Sequence, residues 1–285
     1  MAGGGTDPIT ADERTGVLHP DNLETFRAGW VRPGPGLEPV VESYWHVRWS
    51  LPPGAGLRQR VVDLPAVTLT IEVGDVVAPL VVTGVHRRAW ERTIRGTGEV
   101  FGVRLRPAGL AVVSDLDPVA LLDATVPVTV GLDAGLHRLL ATAAGTGSPV
   151  ERAAVLDAAF ADRLEERPLR PDQALANAVV ADLVERVRSR AGPTLAARFG
   201  ASERAVQRAL RATLGLGPKA VSRRIRLQEV ARQLAADDSP DLAALAAELG
   251  YADQAHLVRD FRAVSGVPPG AYRAEVRGRR ALSAG

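Results

Sequence analysis

The sequence predicts a two-domain α+β protein, with a β-rich N-terminal barrel or sandwich that carries trailing helices and an all-helical C-terminal region. Three observations predict it: alternating apolar and polar residues up to Pro107, helical spacing of the apolar residues beyond it, and a reversal of charge near residue 170. A chain of 285 residues is long enough for two cores. We therefore divide it into a disordered leader (1–20), a β-rich domain (21–168) and a helical domain (169–280).

Alternation is clearest in three segments of the N-terminal region. In "YWHVRW", Trp45, Val47 and Trp49 share one face, and "TLTIEV" and "VFGVRLRP" repeat the pattern. Gly- and Pro-rich turns separate these segments, which is typical of antiparallel strands. A small-molecule pocket is expected among the strands at Trp45, Trp49, Phe101 and Arg104. The alternative is that both tryptophans are ordinary core residues.

Helical segments begin after the strands. "SPVERAAVLDAAFADRLEERP" predicts a helix with Ser148 as N-cap and Pro149 in the first position. "EERPLRPDQ" then predicts a linker, which puts the domain boundary near Pro168–Asp172. Further on, "SPDLAALAAELG" predicts a helix capped by Ser239.

The charge of the chain is unevenly distributed. Residues 1–170 carry 17 Arg against 21 Asp and Glu, a formal charge of −4, whereas residues 171–285 carry 17 Arg and one Lys against 12 Asp and Glu, a charge of +6. A basic excess confined to one end indicates an anionic partner for that end, most often nucleic acid.

Several functions are excluded or disfavoured by composition. The chain has no cysteine, which excludes disulfides, thiolate zinc sites and thiol nucleophiles and fits a cytoplasmic protein. It has no His-x-His pair, phosphate-binding Gly loop or nucleophile elbow, so we expect neither an enzyme nor a metal or other cofactor. No apolar run is long enough to predict a membrane span.

An internal repeat marks the C-terminal region. "LAARFGASERAVQRALRATLGLGP", from Leu195, aligns with "LAAELGYADQAHLVRDFRAVSGVPP", from Leu245, and the two segments are called here the first and second units. In each, a short apolar helix ends at a Gly turn, and a second helix with polar residues on its first turns ends at another Gly. This is the pattern of a helix-turn-helix, whose second helix reads the major groove of DNA.

The residues at the start of each second helix, all but one of them polar, are the candidate DNA contacts. They are Arg204, Gln207, Arg208 and Arg211 in the first unit and Gln254, Ala255, His256, Arg259 and Arg262 in the second. Arg can bind guanine and Gln adenine through two hydrogen bonds each, and the methyl of Ala can contact thymine. The alternative is that these are merely solvated faces of amphipathic helices.

"AAELGYADQAHLVRDFRAVSGVPPGAYR" closely resembles the signature of the AraC/XylS family of transcriptional regulators. The resemblance implies that Tyr251, Leu257, Phe261 and Tyr272 are core residues, and that "RIRLQEVARQL" lies in the long helix joining the two units. It also carries the family's base-contacting positions onto all the candidates above except Arg211 and Arg262. The first unit departs from the family in having Leu210 where an aromatic residue is usual, and Val258 replaces a common Ser or Thr in the second.

The N-terminal region more loosely resembles the β-rich domains that precede this DNA-binding module in many bacterial regulators, through "VESYWHVRW" and "GVRLRPAGL". Together the resemblances imply a bacterial regulator that binds promoter DNA and responds to a small effector through its N-terminal domain. The alternative is a regulator that senses no ligand, whose N-terminal domain serves for dimerisation or partner contact. RNA polymerase and a second copy of the chain are the other partners that this interpretation admits.

Overall fold

The computed structural model describes residues 26–189, 199–236 and 240–281, and within these ranges it leaves the side chains of 188–189 and 277–281 undescribed. The predicted leader therefore lies outside the described residues, as does most of the first helix of the first unit. None of the helices in the described ranges has the length and apolar character that a membrane span requires.

Strands form where the sequence alternates. Those in the described ranges are β1 (Phe26–Val31), β2 (Val41–Ser50), β3 (Gly56–Val61), β4 (Thr68–Val73), β5 (Leu80–Thr83), β6 (Trp90–Arg95), β7 (Thr97–Leu105) and β8 (Thr125–Pro127). Six of them make an antiparallel sheet in the order β1-β2-β7-β4-β5-β8, and β3 pairs with β6 in a second, two-stranded sheet. The prediction of a β-rich N-terminal region is confirmed, in the form of two sheets.

The register of the large sheet places small residues beneath large ones. Trp45 lies opposite Gly102 in the β2–β7 pair. A side-chain carbon placed on Gly102 would lie 2.2 Å from Trp45 Cε2, so the indole can cross the neighbouring strand only because that residue is glycine.

The two faces of the large sheet are covered differently. One face carries Tyr44 and Phe101, whose rings stack with centroids 5.8 Å apart, and it packs into the main core together with the helices. The other face packs Val47 and Trp49 against Ile94 of the two-stranded sheet. Each face is thereby removed from water, which is the main source of stability for such a layered arrangement.

The helices in the described ranges begin after β7, and the first of them precedes β8. They are α1 (Gly109–Val113), α2 (Ala134–Ala144), α3 (Pro149–Glu166), α4 (Pro171–Ser189), α5 (Glu203–Leu214), α6 (Pro218–Ala236), α7 (Leu242–Glu248), α8 (Gln254–Ser265) and α9 (Pro269–Ala281). The helical C-terminal region is as predicted.

The predicted helix caps had different outcomes. Ser148 caps α3 in a reciprocal capping box with Glu151, as expected. Ser239 lies outside the described residues, and its predicted role as the cap of α7 is wrong, because α7 begins at Leu242 and the side chain of Asp241 accepts hydrogen bonds from the amides of residues 243 and 244. An Asp directly before the helix satisfies these amides better than a Ser two residues earlier can.

The hydrophobic core does not stop at the predicted linker. The side chain of Asn177 on α4 donates to Pro39 O at 2.7 Å and accepts from Ala108 N at 2.9 Å, which joins this helix to the N-terminal region. The main core extends from Val31 in the β region to Ile225 on α6. The boundary near Pro168–Asp172 stays a prediction about the chain's organisation, and the core crosses it.

Candidate DNA interface

The first candidate recognition helix, α5, is delimited by residues that satisfy its end groups. The side chain of Ser202 accepts a hydrogen bond from Ala205 N, and Gly215 ends the helix in the left-handed conformation with a φ of 72°. The amide of Gly215 donates to Arg211 O at 3.0 Å. A Ser cap and a left-handed Gly are the usual beginning and end of an isolated helix of this length.

The second candidate recognition helix, α8, repeats that design. The side chain of Asp253 accepts from His256 N at 2.6 Å, and Gly266 ends the helix with a φ of 79°. The amide of Gly266 donates to Arg262 O at 2.9 Å. The two units of the sequence repeat therefore have the same local structure at both ends of the helix that would enter the groove.

All the predicted DNA contacts are exposed. They are Arg204, Gln207, Arg208 and Arg211 on α5 and Gln254, Ala255, His256, Arg259 and Arg262 on α8. Each helix instead buries its opposite face, through residues such as Leu210 and Phe261. The structure thus brings the candidates together in two polar surfaces, one on each unit, and their role in DNA binding stays a prediction.

The aromatic residues of the second unit form its core, as predicted. Leu257, Phe261 and Tyr272 are fully buried and Tyr251 is 6% exposed. The rings of Phe261 and Tyr272 meet edge to face with centroids 5.4 Å apart, an arrangement that aromatic pairs favour.

A polar contact that the sequence analysis missed orients α8 on α6. Asp260 accepts from Arg223 Nε at 2.7 Å and from the Tyr251 hydroxyl at 3.2 Å. The guanidinium of Arg226 lies over the Tyr251 ring, 5.1 Å from its centroid. Burial and the nearby Asp260 carboxylate raise the pKa of Tyr251 above its ordinary value, so the hydroxyl stays a hydrogen-bond donor. In the sequence, the only signal for this contact is that Asp260 stands between arginines and beside a phenylalanine, in the segment "RDFR".

The first unit has an aliphatic core instead. Val206, Leu210 and Leu214 on α5 are buried in the main core, which they share with Leu183 on α4 and with the β region. Leu210 occupies the position that Phe261 has in the second unit. The departure from the family pattern is therefore accommodated by neighbours outside the unit.

The structure does not bring the predicted pocket residues together. Trp49 and half-buried Trp45 pack on one face of the large sheet, whereas Phe101 is buried on the other. Arg104 lies on the tryptophan face but binds Asp63 at 2.6 Å and Glu42 at 3.0 Å. Burial alone would lower the pKa of Arg104, and these two carboxylates raise it above its ordinary value.

A separate cleft lies between the N-terminal region and α5. It has a volume of about 220 Å³ and is lined by residues that include Leu110, Leu116, Arg170 and, on α5, Ala212 and Thr213. In the part of the chain that the structure describes, no group of three or more His, Asp or Glu side chains could hold a metal ion.

Comparison with known proteins identifies two regions. Residues 195–275 match the family model of a helix-turn-helix domain, and residues 30–127 match that of a domain of unknown function, DUF6597. The first match covers both candidate recognition helices. No curated protein matches the chain in sequence.

Solved structures of ToxT from Vibrio cholerae resemble the chain in overall arrangement. One ToxT structure is 9% identical with a TM-score of 0.44, and the match covers 88% of this chain and 98% of that one. ToxT with a bound unsaturated fatty acid is 8% identical with a TM-score of 0.41, covering 89% of this chain and 93% of that one. A likeness at this level carries no argument about function.

Proposed function

We propose that the chain is a transcription regulator of the AraC type that reads a bipartite promoter site under the control of a small effector. The match of residues 195–275 to a helix-turn-helix domain supports the DNA-binding part of this proposal. The observation that supports the bipartite site is the exposure of every candidate contact on two equivalent helices of one polypeptide. Both surfaces carry an excess of Arg over acidic residues, as phosphate-rich DNA requires.

Each unit would read its own half of the site. The first turns of α5 present Arg204, Gln207 and Arg208, which suit guanine, adenine and guanine edges. The first turns of α8 present Gln254, Ala255 and Arg259, so a thymine methyl can replace one hydrogen bond. Arg211 and Arg262 lie further along the helices, where phosphate contact is the expected role. Because the two sets differ, the site should be asymmetric.

The linker helix sets the scale of the site. Helix α6 has 19 residues and spans about 28 Å at about 1.5 Å per residue. With the turns at its ends, the two recognition helices can approach the roughly 34 Å that separates successive major-groove segments on one face of B-DNA. One chain would then occupy two adjacent grooves, and a second copy of the chain would double the site without being needed for it.

The test uses the full-length protein, because the core of the first unit continues into the N-terminal region. Duplexes selected from a random pool should share an asymmetric sequence, and footprinting should show two protected segments about one helical turn apart. Equal affinity for selected and random DNA across a salt series would contradict the proposal, as would a palindromic minimal site.

Substitution assigns the contacts. Arg259→Ala should weaken binding by about 1–3 kcal/mol at one base pair and leave the preference at the others unchanged. Arg138→Ala, on the exposed surface of α2, is the matched control and should leave binding as it is. A loss that is uniform over all sequences would instead make Arg259 a phosphate contact.

The effector proposal is supported by the cleft between the N-terminal region and α5. A ligand held there would contact Leu110, Leu116 and Thr213, and would therefore touch a recognition helix directly. The lining mixes apolar side chains with Ser114, Asp115, Arg170 and Thr213, which suits a small molecule with both apolar and polar groups. The second candidate function is one in which the N-terminal region, which matches a domain of unknown function, serves only dimerisation or partner contact.

Ligand-induced stabilisation distinguishes the effector-binding function from the dimerisation or partner-contact function. All four tryptophans lie in the N-terminal region, so their fluorescence reports its unfolding alone. A small apolar acid or amine that binds should raise the melting temperature of the full chain, and Ala212→Leu, which fills the cleft, should abolish the rise. Ala154→Leu, exposed on α3, should not. If no compound class shifts the melting temperature, the dimerisation function is favoured.

A further inference from the structure

Two segments of the N-terminal region, residues 84–89 and 121–124, form a single unit that we call the bracket. Gly84 N donates to Ala124 O at 3.0 Å, and Asp123 N donates to Val85 O at 3.1 Å. A side-chain carbon on Gly84 would lie 1.9 Å from Leu121 O, so the two segments pass in direct contact. The backbone of one segment thereby holds the backbone of the other.

An ion pair closes the bracket. The side chain of Asp123 accepts from Arg87 N at 2.7 Å and from Arg87 Nε at 2.5 Å. These hydrogen bonds outweigh burial and hold the pKa of Asp123 below its ordinary value. Asp123 also has a φ of 57°, a left-handed conformation that a residue other than Gly adopts at a cost. Strain of this kind persists only where the surroundings fix the backbone.

One end of the bracket contacts the first recognition helix. Leu122 packs against Gly215, the residue that ends α5. A side-chain carbon on Gly215 would lie 3.0 Å from Leu122 Cγ, so the contact is close and, together with the positive φ, requires glycine. Because Leu122 directly precedes Asp123, the position of the α5 C-terminus is tied to the ion pair.

The other end of the bracket contacts the second recognition helix. Ala89 N donates to Val264 O, in the last turn of α8, at 2.8 Å. Ala89 also packs on the core of the second unit. It follows Arg87 by two residues, so the position of the α8 C-terminus is tied to the same ion pair from its other side.

Helix α6, which connects the two units, also contacts the N-terminal region. Arg224 on α6 is 5% exposed and donates from Nε to Asp63 O of the N-terminal region at 2.7 Å. Burial lowers its pKa to about 10, so it remains charged at neutral pH. Contacts to the N-terminal region therefore occur at the C-terminal ends of α5 and α8 and on α6.

We propose that the bracket fixes the spacing and phase of the two recognition helices, with Asp123 and Arg87 as positioning residues and Leu122 and Ala89 as the points of contact. The N-terminal region thereby limits which spacer between the two half-elements the protein accepts. This inference rests on the bipartite binding proposed above. Without the bracket, the geometry would depend on α6 and on the remaining contacts of each unit, such as Leu210 in the main core and the Arg60–Glu275 pair, and would be more flexible.

Spacer selectivity tests the proposal with the full chain. Inserting one base pair between the half-elements moves one of them by about 3.4 Å and rotates it by roughly 34–36°. Wild type should lose about tenfold or more in affinity on an insertion or deletion of two base pairs, the size of loss expected of a mispositioned half-site. Asp123→Gly should reduce that penalty to about threefold or less, because it keeps the left-handed backbone and removes only the side chain.

Arg87→Ala removes the other partner and should have the same effect. Arg48→Ala is the matched control, since Arg48 is an equally exposed arginine, 61% against 64%, whose pair with Glu99 joins β2 to β7 within the large sheet. It should keep the wild-type spacer penalty. In all three variants the base preference within each half-element should be unchanged, because the base-contacting side chains are intact.

The outcomes separate this inference from the function on which it rests. If wild type shows no bipartite preference, the proposed function fails. If wild type prefers one spacing and both bracket variants keep its full penalty, the function stands and the bracket proposal is wrong. A general loss of affinity in Asp123→Gly, with the spacer penalty unchanged, would also contradict it, because that is the behaviour of a merely structural residue.

Discussion

In the first unit, α5 buries Leu210 in a core that continues through α4 into the β region, whereas in the second, α8 buries Phe261 in a core built mainly by the unit together with α6 and α9. The one β-region residue buried in the second core is Val62. Helix α6 contributes to both cores, through Ile225 in the first and Leu227 in the second. Two repeats with the same turns and caps thus depend on different parts of the molecule.

The difference shows what an aromatic core residue does in this architecture. Phe261 and Tyr272 fill the space beneath α8, and α6 supplies residues such as Leu227, so little of this core comes from the β region. With the smaller Leu210, the first unit draws on residues from α4 and the β region. Contacts between the second unit and the N-terminal region are largely polar, through pairs such as Arg60–Glu275. The first unit is therefore coupled to the N-terminal region by apolar burial and the second mainly by hydrogen bonds and charge.

The largest expected effect comes from Phe261→Ala. Loss of a fully buried ring should destabilise the second unit by about 3–5 kcal/mol, as for other buried aromatics. Hydrogen exchange should show α7 to α9 losing protection, while the tryptophan fluorescence transition of the N-terminal region stays in place. Phe261→Leu, which installs the first unit's residue, should cost less than about 1.5 kcal/mol if the site can repack. A Phe261→Ala protein that melts like wild type would contradict the core assignment.

A comparable but less local effect is expected from Leu210→Ala. Deleting a fully buried Leu should cost about 2–5 kcal/mol, and the shared core should spread the loss into the β region. The tryptophan transition should therefore move to lower denaturant, unlike that of Phe261→Ala. If it does not move, the two units are equally independent of the N-terminal region and the comparison fails.

The smallest effect is expected from Glu275→Gln. The side chain of Arg60, 5% exposed, would lose the charge of Glu275 at 2.9 Å but keep Glu91 at 2.6 Å. The cost should be about 1 kcal/mol or less. It should appear as faster hydrogen exchange in the β3–β6 pair and vanish at high salt, which screens the lost charge. Glu165→Gln, exposed on α3, should change neither quantity. An effect that persists undiminished at high salt would show that charge does not tie the second unit.

Local chemistry was predicted well where neighbouring residues decide it. Ser148 caps its helix because its hydroxyl needs only the amide three residues ahead, and Gly215 and Gly266 end theirs because they adopt positive φ freely. The placement of Phe101 relative to Trp49 was not predicted. Alternation shows which residues of one strand share a face, but it does not show how that face aligns with the next strand's, because pairing register depends on contacts distant in sequence.

By itself, the sequence determined the strand-rich and helical regions, the internal repeat and the polar surface that each candidate recognition helix presents, because periodicity, caps and turns act over a few residues. Only the tertiary structure decided that the core crosses the predicted linker, that the strands form two sheets, and that the Arg87–Asp123 pair lies between the contacts to the C-terminal ends of α5 and α8. Those two residues are far apart along the chain. Their meeting depends on how β5 and β8 pair, a long-range choice that the packing of the whole molecule makes.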